Sequence, residues 1–331
     1  MGSVAFVFPG QGSQYVGMSQ ALAQMSPAAA QAFAEADGAL GERLSDLAWT
    51  GDPQQLDLTA NAQPAILAAS IAYLRALEET WTSENRIGPE PAFYAGHSMG
   101  QYSALVAAGV IELAEGVRLV RERGNRMQSS GSRADGAIAA VIGLDDARLP
   151  ELEATGRSHG VFAIANRNSP GQVVVSGERR AVQAAVDAAK ALGAKRAILL
   201  PVSVAAHSPL MADAADGMRA VLEPLTFRDP RAPLLANADA HQLTTGDACR
   251  AELVDHLTTG VDWIATVRAM VDAGVTTFVE VGPGRVLTGL IKRIAPEVEA
   301  IALDDPTAPG RLHVPQLASA PTDSNEPVPT L

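Results

Sequence analysis

The chain has 331 residues, of which 47% are hydrophobic and only 4% aromatic, and it carries a formal net charge of -12. That length suits one large domain with an insertion, or two domains, and the acidic balance argues against a partner bound through its phosphate backbone. A single cysteine, Cys249, excludes an internal disulfide and a Cys-rich metal site and fits a reducing, cytoplasmic compartment.

In chain order, "VAFVF" reads as a first strand: no basic region precedes it and Pro-Gly follows, so it is not expected to be a secretory signal. "AILAASIAYLRAL" is a helix too short and too interrupted to span a bilayer. "AFYAG", "PLLAN" and "TFVEVG" are further strands, each followed by turn residues and helix-like sequence, which is the alternation of an α/β protein. From Gly136 to Ser203 the pattern runs "AIAAVIGL", "DARLPELEATG", "VFAIANRN", "QVVVSG", "ERRAVQAAVDAAKALG" and "KRAILLPVS". That β-α-β-β-α-β order predicts a ferredoxin-like subdomain over 134–201, inserted into a core formed by 1–133 and 202–304. Residues 305–331, rich in Pro, Ser, Thr and acidic side chains, are expected to form a disordered tail.

Gly96-His97-Ser98-Met99-Gly100 has the G-x-S-x-G spacing of a nucleophile elbow, in which a strand turns sharply into a helix and the serine Oγ is left exposed. Such a serine needs a base. His97 is its neighbour on a tight turn and points away, whereas His207, in "LLPVSVAAHSPLM", re-enters the core beside the cleft. His159, His241 and His313 lie in polar turn-like sequence, and His256 lies in a helix-like stretch as a packing residue. "FPGQGSQ" lacks the Lys and spacing of a phosphate loop, and "VGPGRVLTG" lacks the dinucleotide spacing. An esterase or thioesterase of the α/β-hydrolase type would need an Asp or Glu followed by a late His, and the late histidine, His313, falls in the tail.

Five stretches in order, "FPGQGSQ", "TANAQPAI", "GHSMGQYSALVAAG", "RLVRERGNRMQ" and "HSPLM", together with "NSPGQVVVSG" and "EVGPGRVLTGL", carry a family resemblance. The chain resembles the malonyl-CoA:acyl carrier protein transacylases of fatty acid synthesis and the related acyltransferases of polyketide synthesis, up to about residue 304. The resemblance implies an α/β-hydrolase-like core and a soluble cytoplasmic monomer. It implies ping-pong transfer of malonyl from malonyl-CoA, a substrate rather than a cofactor, to the phosphopantetheine thiol of an acyl carrier protein. No metal or other cofactor is implied. Ser98 would be the nucleophile and His207 the base, oriented by the backbone carbonyl of His256, where the family usually has Gln. The backbone N–H groups of Gln11 and Met99 would form the oxyanion hole. Arg123 would clamp the malonyl carboxylate, with Gln63, His97, Met127, Asn166 and Asn168 as further substrate-binding residues.

Without that resemblance, Arg123 would join Arg118, Arg121 and Arg126 on a solvated helix face. Met99, Gln101 and Ala206 depart from common family residues, which leaves open a larger dicarboxylic acyl unit and a trans-acting polyketide role. Hydrolytic editing of carrier thioesters would use the same nucleophile and base. An acidic carrier would need local cations near the cleft, for which Arg179, Arg180, Lys195, Arg196, Lys292 and Arg293 are the candidates.

Overall fold

The computed structural model describes residues 3–133, 135–200 and 204–311. Its strands are β1 (Ser3–Phe8), β2 (Phe93–Gly96), β3 (Gly136–Ile142), β4 (Phe162–Ser169), β5 (Gln172–Glu178), β6 (Arg196–Leu199), β7 (Leu234–Leu235), β8 (Gln242–Leu243), β9 (Val261–Asp262), β10 (Val275–Glu280) and β11 (Glu299–Ala302). They form two sheets. One has six strands in the order β11-β10-β1-β2-β7-β8, parallel except for the β7–β8 pair. The other has five, in the order β6-β3-β5-β4-β9.

The large sheet is covered on both faces, which is why β1 is apolar without a break. Val4, Phe6 and Phe8 join one core with Ile66, Leu67, Tyr102 and Leu105, while Ala5 and Val7 join the opposite core with Phe93, Trp263, Phe278 and Ile291. This is strand alternation with an apolar partner on either side. The "AILAASIAYLRAL" stretch belongs to the helix Thr59–Ser83, buried over most of its surface, as an apolar helix at the centre of a core should be. Among the described residues no helix is long and apolar enough to cross a membrane.

The second sheet uses one apolar face. Ala137, Ala139, Val141, Val173 and Val175 pack against Leu152, Ala181, Val182 and Ala185 of the helices Leu149–Arg157 and Arg179–Ala189. Four of its strands come from the expected insertion, with boundaries close to those read from sequence. The fifth does not: β9 comes from the other part of the chain and pairs in parallel with β4 through Asn166↔Val261 and Arg167↔Asp262. The second sheet is thereby completed by a segment from the 202–304 part of the chain.

Of the tail expected from residue 305, the first part is described. Ala308–Arg311 is a short helix and Ala308 packs on the large core. Residues 312–331, with His313, and residues 201–203 at the re-entry segment lie outside the described residues.

Candidate active site

The elbow is built by close backbone approach. A Cβ on Gly96 would stand 2.0 Å from the Gly100 carbonyl carbon, and one on Gly100 would stand 2.2 Å from the Phe8 carbonyl oxygen. Only glycine fits at either place, so the strand can reverse into the helix Gly100–Ala107 beside the end of β1. Between them Ser98 has φ 53°, in the left-handed region. A non-glycine residue there costs about 1–3 kcal/mol and persists only where its surroundings impose it. Here the Ser98 N–H donates to Asn237 Oδ1 at 2.8 Å, and the Gly96 N–H donates to Gln101 Oε1 at 3.1 Å. Gln101 also donates from Nε2 to the Leu235 carbonyl at 3.1 Å. An amide supplies donor and acceptor at once, which an ionised Glu at this position could not do.

His207 also adopts a left-handed φ, 59°, and only 4% of it is exposed. Its Nε2 lies 2.8 Å from Ser98 Oγ. Its Nδ1 faces two carbonyl oxygens, of His256 at 2.7 Å and of Thr259 at 3.1 Å. Carbonyls only accept, so Nδ1 carries the proton and Nε2 is left to accept from the serine hydroxyl. Burial, then the nearby Arg123 cation, push the imidazole pKa down to about 4, so the ring is neutral at physiological pH. Among the described residues no carboxylate takes the third place. Main-chain carbonyls of His256 and Thr259 stand where an ordinary α/β-hydrolase triad has its acid.

Arg123 is 1% exposed and does not belong to a solvated face. It projects from the helix Leu113–Arg133, donating to Gln63 Oε1 at 2.9 Å and to Ser98 Oγ at 3.2 Å, with His256 Nε2 at 3.4 Å. The reason is local. A Cβ on Gly124 would stand 2.5 Å from the Ala60 Cα, so this glycine lets the Leu113–Arg133 helix close on the start of Thr59–Ser83 and brings Arg123 against Gln63. Met127, one turn further along, accepts from Gln63 Nε2 at its sulfur. Among the described residues no Asp or Glu pairs with Arg123. Its helix neighbours differ: Arg126 pairs with Glu122, Arg118 donates to the Ala39 carbonyl, and Arg121 reaches Glu42 and Asn61. Arg121 is thus a tied, part-buried residue rather than a solvated one.

His97 bonds through Nε2 to Asn168 Oδ1 at 2.9 Å and packs edge-on against Trp263. It does not touch Ser98 Oγ. Asn168 and Asn166 lie on β4 where the register slips twice, irregularities of the kind that re-aim side chains near sites. Asn166 Oδ1 is buried without a hydrogen bond. Gln11 follows Pro9-Gly10 at the end of β1, beside the elbow, where a Cβ on Gly10 would meet the His97 carbonyl at 2.5 Å. Gln11 Nε2 donates to Thr59, and Met99 is buried at the start of the Gly100–Ala107 helix. His159 and His241 are exposed and bonded locally. Of the six surface cations, Arg179 pairs with Asp135, Arg180 with Glu178, and Arg293 donates to Gln172.

Two residues with no forecast role stand at the centre. Asn237 lies two residues past the end of β7, and its N–H donates to the buried Glu252 at 2.7 Å. The sequence signal was slight, a polar residue closing an apolar run. Among the described residues no group of His, Cys, Asp and Glu could hold a metal.

Comparison with known proteins adds to this geometry. The model of the acyl transferase domain family matches residues 5–306. The malonyl CoA-acyl carrier protein transacylase of Escherichia coli K12 is 47% identical over 308 residues, 93% of this chain and 98% of its own. That of Bacillus subtilis 168 is 41% identical, covering 92% and 95%. Among solved structures, a type II PKS acyl-carrier protein in complex with its malonyl-transacylase aligns with TM-score 0.86 and 43% identity, covering 93% of this chain and 98% of that one. An acyl carrier protein S-malonyltransferase from Vibrio cholerae aligns with TM-score 0.86 and 42% identity, covering 92% and 97%.

Proposed function

The chain belongs to the acyl transferase domain family, and from that premise we propose that it moves malonyl from malonyl-CoA to the phosphopantetheine thiol of an acyl carrier protein, for fatty acid or polyketide synthesis. The observation that carries the malonyl assignment is Arg123. It is a buried guanidinium without a carboxylate partner among the described residues, and it stands 3.2 Å from the serine hydroxyl. A fixed fork of donors at that distance suits an acyl group whose free end is a carboxylate.

The chemistry follows from the contacts. Ser98 Oγ attacks the thioester carbonyl while His207 Nε2 takes its proton. The oxyanion is held by the Gln11 and Met99 N–H groups. The C–S bond breaks, the coenzyme A thiolate leaves with the proton from His207, and malonyl remains as an ester on Ser98. The carrier thiol then gives its proton to His207, attacks the ester, and Ser98 recovers the proton as it departs. Gln63 holds the Arg123 fork, with Met127 behind Gln63. His97, on the turn after β2, and Asn166 and Asn168, on β4, border the acyl site.

Residues 1–133 and 202–304 are read as an α/β-hydrolase-like core, a reading supported by the parallel sheet with the elbow at the end of β2. Residues 134–201 are read as a ferredoxin-like subdomain on the strength of the β-α-β-β-α-β connectivity. A monomeric, cytoplasmic protein accords with transfer to a diffusing carrier. The test is intact-mass analysis after mixing with malonyl-CoA and no carrier. The protein should gain one malonyl group and Ser98→Ala none; an adduct on the alanine variant would remove Ser98 from its role.

A further inference from the structure

We propose that Asn237 is a positioning residue for the nucleophile, fixed in turn by Glu252, so that Ser98 and His207 are both referenced to the end of one helix. This rests on the reading of Ser98 as the acylated residue. Ser98 sits in a left-handed conformation that it would not keep unaided, and its N–H is taken by Asn237 Oδ1 at 2.8 Å. Asn237 is itself immobilised, being 2% exposed. Its N–H donates to Glu252 Oε1 at 2.7 Å and its carbonyl accepts from the Asp262 N–H at 2.7 Å. Its Nδ2 has no partner, so Oδ1 is the atom that matters, and the amide orientation follows because only oxygen can face the Ser98 N–H.

Glu252 lies on the helix Gly246–Asp255, four residues before His256 at its C-cap. The same helix end therefore supplies the carboxylate that holds Asn237 and the carbonyl that holds His207 Nδ1 at 2.7 Å. Glu252 Oε1 stands 3.9 Å from His256 Nδ1, beyond hydrogen-bond reach, so the two supports share the helix end and not a side-chain bond. A carboxylate buried this deeply is displaced upward in pKa, to about 7, by loss of water. It is kept there as an acceptor for main chain rather than as the partner of a cation. The Asn237 and His256 contacts set where Ser98 Oγ lies relative to His207 Nε2, and neither uses a group placed against the acyl chain.

The experiment measures the rate of acyl-Ser98 formation by quenched intact-mass analysis with malonyl-CoA and with acetyl-CoA. Asn237→Ala should slow acylation about 10- to 100-fold, by the same factor for both donors, with KM within about 3-fold of wild type. Asn237→Asp, which keeps an acceptor oxygen in place, should recover most of that loss, and Glu252→Ala should reproduce part of it. An Asn237→Ala enzyme within about 2-fold of wild type, a loss confined to KM or to malonyl, or an aspartate variant no faster than alanine would each overturn the proposal. Should the alanine variant not fold, the aspartate variant decides alone: a folded form more than about 10-fold slower than wild type overturns it. A wild type that forms no malonyl-Ser98 would instead refute the functional reading.

Discussion

Replacing Arg123 by alanine separates the substrate assignment from the assignment of the chemistry. The guanidinium is 1% exposed, held by Gln63 and, among the described residues, without an acidic partner, so a malonyl carboxylate that exchanges water for this group relies on it. Removing one partner of a buried pair costs about 3–5 kcal/mol because the other charge is left unpaired. Water entering the enlarged site recovers part of that, so malonyl kcat/KM should fall about 10²- to 10³-fold, at 1.36 kcal/mol per decade. Acetyl transfer should behave in the opposite way. The same cation donates to Ser98 Oγ at 3.2 Å and is the second cause of the low His207 pKa. Its removal frees the nucleophile and makes the base stronger, and transfer of a neutral acyl group should hold or rise. Lysine should rescue malonyl transfer only in part, since it keeps the charge without the fork. The assay compares kcat/KM for malonyl-CoA, methylmalonyl-CoA and acetyl-CoA on wild type and both variants. Equal loss of malonyl and acetyl transfer in Arg123→Ala would make the residue structural and refute the carboxylate clamp.

His207→Ala should slow transfer by about 10²- to 10⁴-fold in an enzyme that still binds malonyl-CoA; a loss under 10-fold, on the order of one decade, would assign the base elsewhere. Because the folded pKa of His207 is about 4, below the usual 6.5, protons bind the unfolded chain more readily. Stability from this group is complete above about pH 6.5 and declines as pH falls towards 4, and kcat/KM should stay level to well below pH 6.5. An acid limb centred near 6.5 in a pH–rate profile would contradict the buried neutral imidazole. His256→Gln should leave transfer within about 3-fold, since the main-chain carbonyl does the orienting; collapse of activity in a folded variant would bring the ring itself into the chemistry. Gly124→Val should force the two helices apart where Ala60 now touches, raising malonyl KM far more than acetyl KM, and unchanged donor selectivity would show that Arg123 does not depend on this contact.

The elbow was legible because its demands are local: two glycines, a serine, and a strand before a helix, all within "FYAGHSMGQYSALV". The β-α-β-β-α-β run was legible for the same reason, since each element carries its own period. Arg123 was not, for it shares a helix with Arg118, Arg121 and Arg126, and only the contact of Gly124 with Ala60 turns it inward. Nor was β9, two residues long, which joins the second sheet because Val261 meets Asn166 across 95 positions of chain, roughly the span that no local periodicity can report. Asn237 and Glu252 escaped notice because each is defined by the partner it meets. A buried carboxylate satisfied by a main-chain N–H leaves no pattern in the surrounding residues.

The one cysteine of the chain bears on how the protein can be handled. Cys249 is fully buried in the helix Gly246–Asp255, and burial pushes its thiol pKa up to about 12. Since the thiolate is the reactive form, thiol-directed reagents at neutral pH meet an enzyme with no reactive thiol on offer. Ser98→Cys would create one, at the point where a carrier arm arrives. An electrophilic pantetheine analogue loaded on the carrier should then couple at that position alone, giving a covalent complex suited to crystallography, and a fluorophore attached through any single surface cysteine would report binding without a background label.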